Sequence, residues 1–294
     1  MKRIYSVLRI PYVLLKRFTK NINYFVNKFF FALTQDEIMN GLEKVGLKKG
    51  MIVYVHSSMS SFGYVNGGPN SVISPILNII GNEGIIVVPT FTHRTDIFDI
   101  ETTKSWTGAI SESLRLKKGS FRSVHPTHSV TAFGLLAKEI IKGHEKSKSP
   151  FDEKSPFHKL AVRGSYILML GTENNSMIHY VQNKVNFPNL FLKKDQEFKY
   201  KVNNKIKIIK TKIHHPNGSI KYIYDGKPCS DVKFLVNMYR DEKFEEKGYM
   251  KTIKIGSAVC RLINTQNFIR TSTKYLENNI KRYKNKYQSL IKNG

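Results

Sequence analysis

Cysteine is scarce: the 294 residues hold two, Cys229 and Cys260, at no metal-ligand spacing. That argues against a disulfide framework or a zinc site, so no metal is expected, and it suits a reducing compartment in which both thiols are inert. Acidic residues are also few. Twenty-two Asp and Glu face 48 Lys and Arg, leaving a formal net charge of +26. Such an imbalance points to an anionic partner: nucleic acid, a membrane surface or a phosphorylated small molecule. Much of the excess is lysine beside abundant Asn and Ile, so ordinary exposed surface is the competing reading. No recognised nucleic-acid-binding module accompanies the charge, which sets that partner aside. No apolar run approaches the roughly 20 residues a membrane-spanning helix needs. Neither a P-loop lysine nor Gly-x-Gly-x-x-Gly occurs, so nucleotide hydrolysis and dinucleotide binding are poorly supported.

What is present is a chain with 40% hydrophobic residues, enough to close a sizeable core. Residues 1–33 stand apart as a basic arm: Lys2, Arg3, Arg9, Lys16, Arg17, Lys20 and Lys28 with no acid, interleaved with aromatic and aliphatic residues. Cations recurring throughout, and no small-residue cleavage site, fit a signal peptide poorly. An amphipathic arm of this kind lies on anionic lipid headgroups or packs on the domain or a second subunit, and both readings stay open. The expected location is the cytoplasm, with peripheral contact at the inner membrane face if the arm binds lipid.

Thr34-Gln-Asp-Glu37 reads as a capping box opening a helix that runs to Val45 and stops at Gly46. Met51 to Val55, Gly84 to Val88 and Tyr166 to Leu170 are short β-rich apolar runs, read as buried strands. A helix from about Val72 to Ile80 joins the first two. The fold class is therefore α/β: one large domain over residues 34–278 with a central, largely parallel or mixed sheet flanked by helices. A β-hairpin is expected as an insertion at about 200–226, with Lys205 to Ile213 and Ile220 to Tyr224 flanking a turn at Asn217-Gly218. Cys260 to Leu276 reads as the last helix, and residues 279–294 as a frayed basic tail.

Polar residues cluster where such a fold binds ligands. His56-Ser57-Ser58-Met59-Ser60-Ser61 follows the first strand, and Gly67-Gly68 leads into the next helix. Beyond the carboxyl ends of parallel strands, open backbone amides and a helix start favour phosphate. Arg122-Ser-Val-His125-Pro-Thr-His-Ser129 and His179-Tyr180-Val-Gln182 are two further clusters. Amide formation from a thioester needs a base and oxyanion donors, and histidine serves as the base near neutral pH.

The order of several segments resembles one family from end to end: Val55 to Gly68, Ile85 to Thr92, Arg122 to Gly134, Ser155 to Leu160, Gly164 to Thr172, Ile178 to Gln182, and Ile255 to Leu262. Together they look like the aminoglycoside 3-N-acetyltransferases. The resemblance implies an α/β fold distinct from the commoner acetyltransferase fold, acetyl-CoA as co-substrate, and direct transfer to an aminosugar-bearing small molecule. It matches Ser57, Ser58, Ser60, Gly67 and Gly68 to the CoA-binding segment, and Arg122 and His125 to the polar motif at the thioester end. It matches His179 to the general base, Tyr180, Gln182 and Ser129 to the acceptor side, and Asp231 to an acid that orients an imidazole. One position departs: the family usually carries glutamate where Gln182 stands. Glutamine offers no charge to an ammonium, and a chain at +26 repels a polycation. A nucleotide- or lipid-linked aminosugar of surface-polysaccharide biosynthesis is therefore the preferred acceptor, and an aminoglycoside antibiotic the alternative. A homodimer is a further expectation.

Overall fold

The computed structural model describes residues 32–187, 195–213, 222–224 and 227–292. Most of the basic arm and the Asn217-Gly218 turn lie outside the described residues. Thr34 opens helix α1 (Gln35–Val45) as its spacing predicts. The Thr34 backbone N–H donates to the Glu37 carboxylate at 2.8 Å, and the Glu37 N–H donates to the Thr34 hydroxyl at 3.3 Å, pairing two of the donors a helix start leaves open. Gly46 ends it at φ +107°, a conformation glycine adopts without a Cβ penalty. Leu33, one residue before the expected boundary, is already tied in by a bridge to Val65.

Strand β1 (Ile52–Ser57) is followed by α2 (Asn70–Ile80) and β2 (Ile85–Pro89), the strand-helix-strand unit read from the sequence. In chain order come β3 (Ile97–Asp99), α3 (Ala109–Leu116), β4 (Phe121–Arg122), β5 (Val130–Gly134), α4 (Ala137–Ile141), α5 (Pro156–Val162), β6 (Tyr166–Leu170) and α6 (Met177–Lys184). After them are β7 (Gln196–Val202), β8 (Lys205–Thr211), β9 (Tyr222–Tyr224), β10 (Lys227–Cys229), α7 (Asp231–Asp241), β11 (Met250–Ile255), β12 (Ala258–Asn264) and α8 (Thr265–Lys292). The main sheet has seven strands in the order β11-β12-β6-β1-β2-β5-β4. Its centre, β6-β1-β2, is parallel, and the flanking pairs are antiparallel. The fold is thus a single mixed α/β domain.

The sheet is covered on both faces, which is why its central strands read as unbroken apolar runs. Alternation along β1 assigns the faces: Val53 and Val55 join Ile38, Leu42, Ile76 and Ile110 in one core, while Tyr54 joins Phe157, Ile178, Phe234 and Phe268 in the other. A third, smaller core of Phe98, Phe198, Tyr200 and Ile209 sits under a separate sheet, β3-β7-β8.

Three expectations need correction. Among the described residues the hairpin is Gln196–Thr211, with Asn203 and Asn204 at φ +49° and +59° as its two-residue turn; Lys205–Thr211 pairs with Gln196–Val202 and Tyr222–Tyr224 with Lys227–Cys229, so the two expected arms do not pair with each other. Cys260 lies in β12, paired with Leu170, and the last helix begins at Thr265. The apolar run there belongs to a buried antiparallel strand, which a short run does not distinguish from a helix. That helix continues to Lys292, through the segment expected to fray. Among the described residues no helix is long and apolar enough to cross a membrane.

Candidate active site

A cleft of about 240 Å³ opens at the carboxyl ends of β1 and β2, beside the start of α6. In a doubly wound sheet this is where connections leave a strand in opposite directions and backbone amides stay open. His56 and Ser57 of β1, Pro89, Phe91, Trp106 and Thr107 line it on one side. Asn174, Ser176 and His179 around α6, and Asp231 of α7, line the other.

His179 is half-buried, and its Nδ1 lies 2.7 Å from Gln182 Oε1 one helical turn on. An amide oxygen only accepts, so Nδ1 carries the proton and the ring's basic lone pair sits on Nε2. Gln182 is 1% exposed and is not among the cleft-lining residues. The expectation that it meets the acceptor gives way to this placement: on α6 a residue three positions after His179 stacks behind it. Tyr180 points elsewhere too, its hydroxyl 3.0 Å from His158 Nδ1.

The sequence reading passed over His56. Its ring is buried, meets Tyr54 edge-on at 4.6 Å, and presents an Nε2 with no hydrogen-bond partner. Burial, and secondarily the nearby His179, push its pKa down to about 3, so it stays neutral. A histidine ending a strand at a ligand-binding edge was the available signal. Trp106, Asn174 and Ser176 carried none.

The serine loop is built as a tight turn. The Ser58 N–H donates to the Leu170 carbonyl at 2.9 Å. Ser61 donates to the Gly171 carbonyl at 2.7 Å and contacts the Ser58 hydroxyl at 2.9 Å, while Ser60 is exposed. Ser57 reaches the cleft. Gly67 and Gly68, at φ +77° and +67°, make the turn into α2 outside its lining.

Arg122, His125 and Ser129 are brought together, but in the interior. Arg122 donates to Ser129 Oγ at 3.0 Å, to the Thr90 carbonyl at 2.9 Å and to the Thr103 carbonyl at 2.6 Å, and Ser129 donates to the Thr90 carbonyl at 2.6 Å. His125 is fully buried, stacked on His144 at 4.7 Å. Its Nδ1 accepts from the backbone N–H groups of Thr127 and His128, and burial holds it well below the usual histidine range. A ring so placed cannot reach a thioester in the cleft. Its motif braces the strand ends that form the site. Asp231 does line the cleft, following the N-cap Ser230. Cys260 is buried with its thiol pushed up to about 11, which keeps it protonated and unreactive.

A family model described as aminoglycoside 3-N-acetyltransferase matches residues 54–277, more than half of the chain. The chain belongs to the aminoglycoside 3-N-acetyltransferase family. It is an acyltransferase, a CoA-dependent N-acetyltransferase. It is 27% identical over 284 residues to the SPbeta prophage-derived aminoglycoside N(3')-acetyltransferase-like protein YokD of Bacillus subtilis (strain 168), covering 85% of this chain and 94% of that one. The crystal structure of YokD aligns with a TM-score of 0.71 at 26% identity, over 86% of this chain and 96% of that one. Two solved structures share the fold at lower identity. AAC-IIIb in a binary complex with CoASH aligns at 18% identity with TM-score 0.69, over 83% of this chain and 96% of its own. AAC-VIa bound to sisomicin aligns at 20% with TM-score 0.69, over 84% and 98%.

Proposed function

We propose that this enzyme moves the acetyl group of acetyl-CoA onto an amino group of an aminoglycoside-type acceptor, with His179 as general base. The observation that carries the choice of acceptor is the charge of the cleft. Among the described residues, its lining contains no lysine or arginine, one carboxylate from Asp231, and a neutral His56. The +26 of the whole chain is therefore not expressed where the acceptor's amine must sit, and beyond a Debye length of about 8 Å it is screened. A phosphate-bearing sugar would find no cation on that lining, whereas an ammonium finds Asp231. The objection drawn from Gln182 also falls, since that side chain is buried behind His179. The relatives' names support the same acceptor, and the surface-polysaccharide reading draws no support from them.

In this reading His179 Nε2 takes the proton from the attacking nitrogen as the C–N bond forms. The C–S bond breaks, His179 passes that proton to the departing sulfur, and CoA leaves as the thiol with the base restored. Ser57, Ser58 and Ser60 hold CoA at the open strand ends. His56, neutral and lining the same cleft, is assigned as a hydrogen-bond donor for the thioester oxygen. Asp231 serves as counter-charge to the acceptor.

The test is thiol release from acetyl-CoA with sisomicin, a UDP-amino sugar and a dTDP-4-amino-4,6-dideoxysugar offered in parallel. Turnover is expected with sisomicin, and His179→Ala should lower kcat by about 10²- to 10⁴-fold with CoA affinity retained. Turnover confined to a nucleotide-linked sugar would overturn the choice of acceptor. Full activity of His179→Ala would overturn the assignment of the base.

A further inference from the structure

Trp106 is the chain's single tryptophan, and it is 55% exposed while lining the cleft that holds His179. A lone exposed apolar side chain is ordinary; the mounting of this one is not. His93 stacks on it with ring centroids 5.7 Å apart and planes at 21°, and Phe91 meets it at 6.2 Å and 63°. The Trp106 backbone N–H donates to the Phe91 carbonyl at 3.0 Å. Upstream, Arg122 pins the same loop through the carbonyls of Ile100 and Thr103. The loop that carries the indole is thus pinned, and ring contacts with His93 and Phe91 restrict the side chain, which lowers the entropy cost of binding to it. His93 stacks on the indole without being part of the cleft lining, and the indole, still 55% exposed, borders the cleft.

We infer that Trp106, backed by His93, is the platform on which the acceptor's aminosugar ring lies while its amine reaches His179. This inference rests on the acceptor class proposed above and deepens it. An aromatic face attracts the C–H face of a sugar and, more strongly, a nearby ammonium, and Asp231 in the same cleft supplies a counter-charge. The competing occupant is CoA. Its adenine is separated from the thioester by the pantetheine arm and the diphosphate. Within a cleft of about 240 Å³ that also holds the base, the ring beside Trp106 is therefore the one that carries the reacting amine.

The experiment combines steady-state kinetics with tryptophan emission, which in this chain reports on Trp106 alone. Titrating sisomicin into the CoA-bound enzyme should change the emission saturably. Trp106→Ala should raise the sisomicin KM about tenfold, with kcat and the acetyl-CoA KM changed by less than about twofold, and Trp106→Phe should recover most of the loss. An unchanged sisomicin KM in Trp106→Ala, or a rise in the acetyl-CoA KM instead, would overturn the platform while leaving the proposed activity intact. If the wild type acetylates no aminosugar, the proposed activity fails by itself. The emission titration then decides the platform: a saturable change with an aminosugar supports it, and no change overturns it.

Discussion

At the scale of single residues, the proposed mechanism turns on the His179–Gln182 pair. A neutral amide fixes the tautomer of His179, whereas a carboxylate in its place would add an opposite charge that stabilises the protonated ring. Replacing Gln182 by glutamate should therefore move the acid limb of the kcat/KM profile to higher pH, since His179 would then hold its proton further up the scale. Gln182→Leu should leave that limb in place and lower kcat through lost alignment. Measuring kcat/KM from pH 5 to 9 separates the two, and an unshifted limb in the glutamate variant would mean that His179 is not the titrating base.

At the scale of elements, the site depends on the approach of the serine turn to the end of β6. Gly171, at φ +66°, leaves no room for a side chain: a Cβ there would stand 2.5 Å from Ser61 Cβ and 3.1 Å from Ala258 Cβ. Its carbonyl also receives the Ser61 hydroxyl. Gly171→Ala should push the turn off the strand, raise the acetyl-CoA KM by about tenfold or more, and cost about 1–2 kcal/mol of stability through the strained φ. Kinetics and urea unfolding read the two effects separately. A loss of stability with an unchanged acetyl-CoA KM would remove the serine turn from CoA binding. The Arg122 motif belongs to this scale as well: it reads in sequence as catalytic and works in the fold as a brace between β2, β4, β5 and the Trp106 loop.

At the scale of the whole molecule, three histidines among the described residues are buried neutral: His56 near a pKa of about 3, His144 near about 4, and His125 well below the ordinary value. The unfolded chain would protonate each at about 6.5. Above that pH the three leave stability untouched. Between about pH 6.5 and 4 the unfolded state binds more protons than the native one, so stability falls as pH falls, by up to about 1.4 kcal/mol per pH unit for each group. Urea midpoints should drop steeply across that window, and a flat profile would show that the histidines become charged in the folded state. Apolar runs and the Thr34 capping box are enough to read the α/β class and the strands that border the cleft, because local periodicity and backbone chemistry act within a few residues, and the ordered polar segments single out His179, which lines that cleft. The hairpin register escapes that reading, since a turn at Asn203-Asn204 is as open to the sequence as one further on, and only the pairing of β7 with β8 shows which partner Lys205–Thr211 takes. Which polar residues face solvent, and which lie sealed in a core, was decided by the tertiary structure. His125, Arg122 and Gln182 look as accessible in sequence as His179, and His56 looks no more important than its neighbours. Burial and the direction of a side chain arise from contacts between segments far apart in the chain, such as Tyr54 with Ser176 and Ser61 with Gly171.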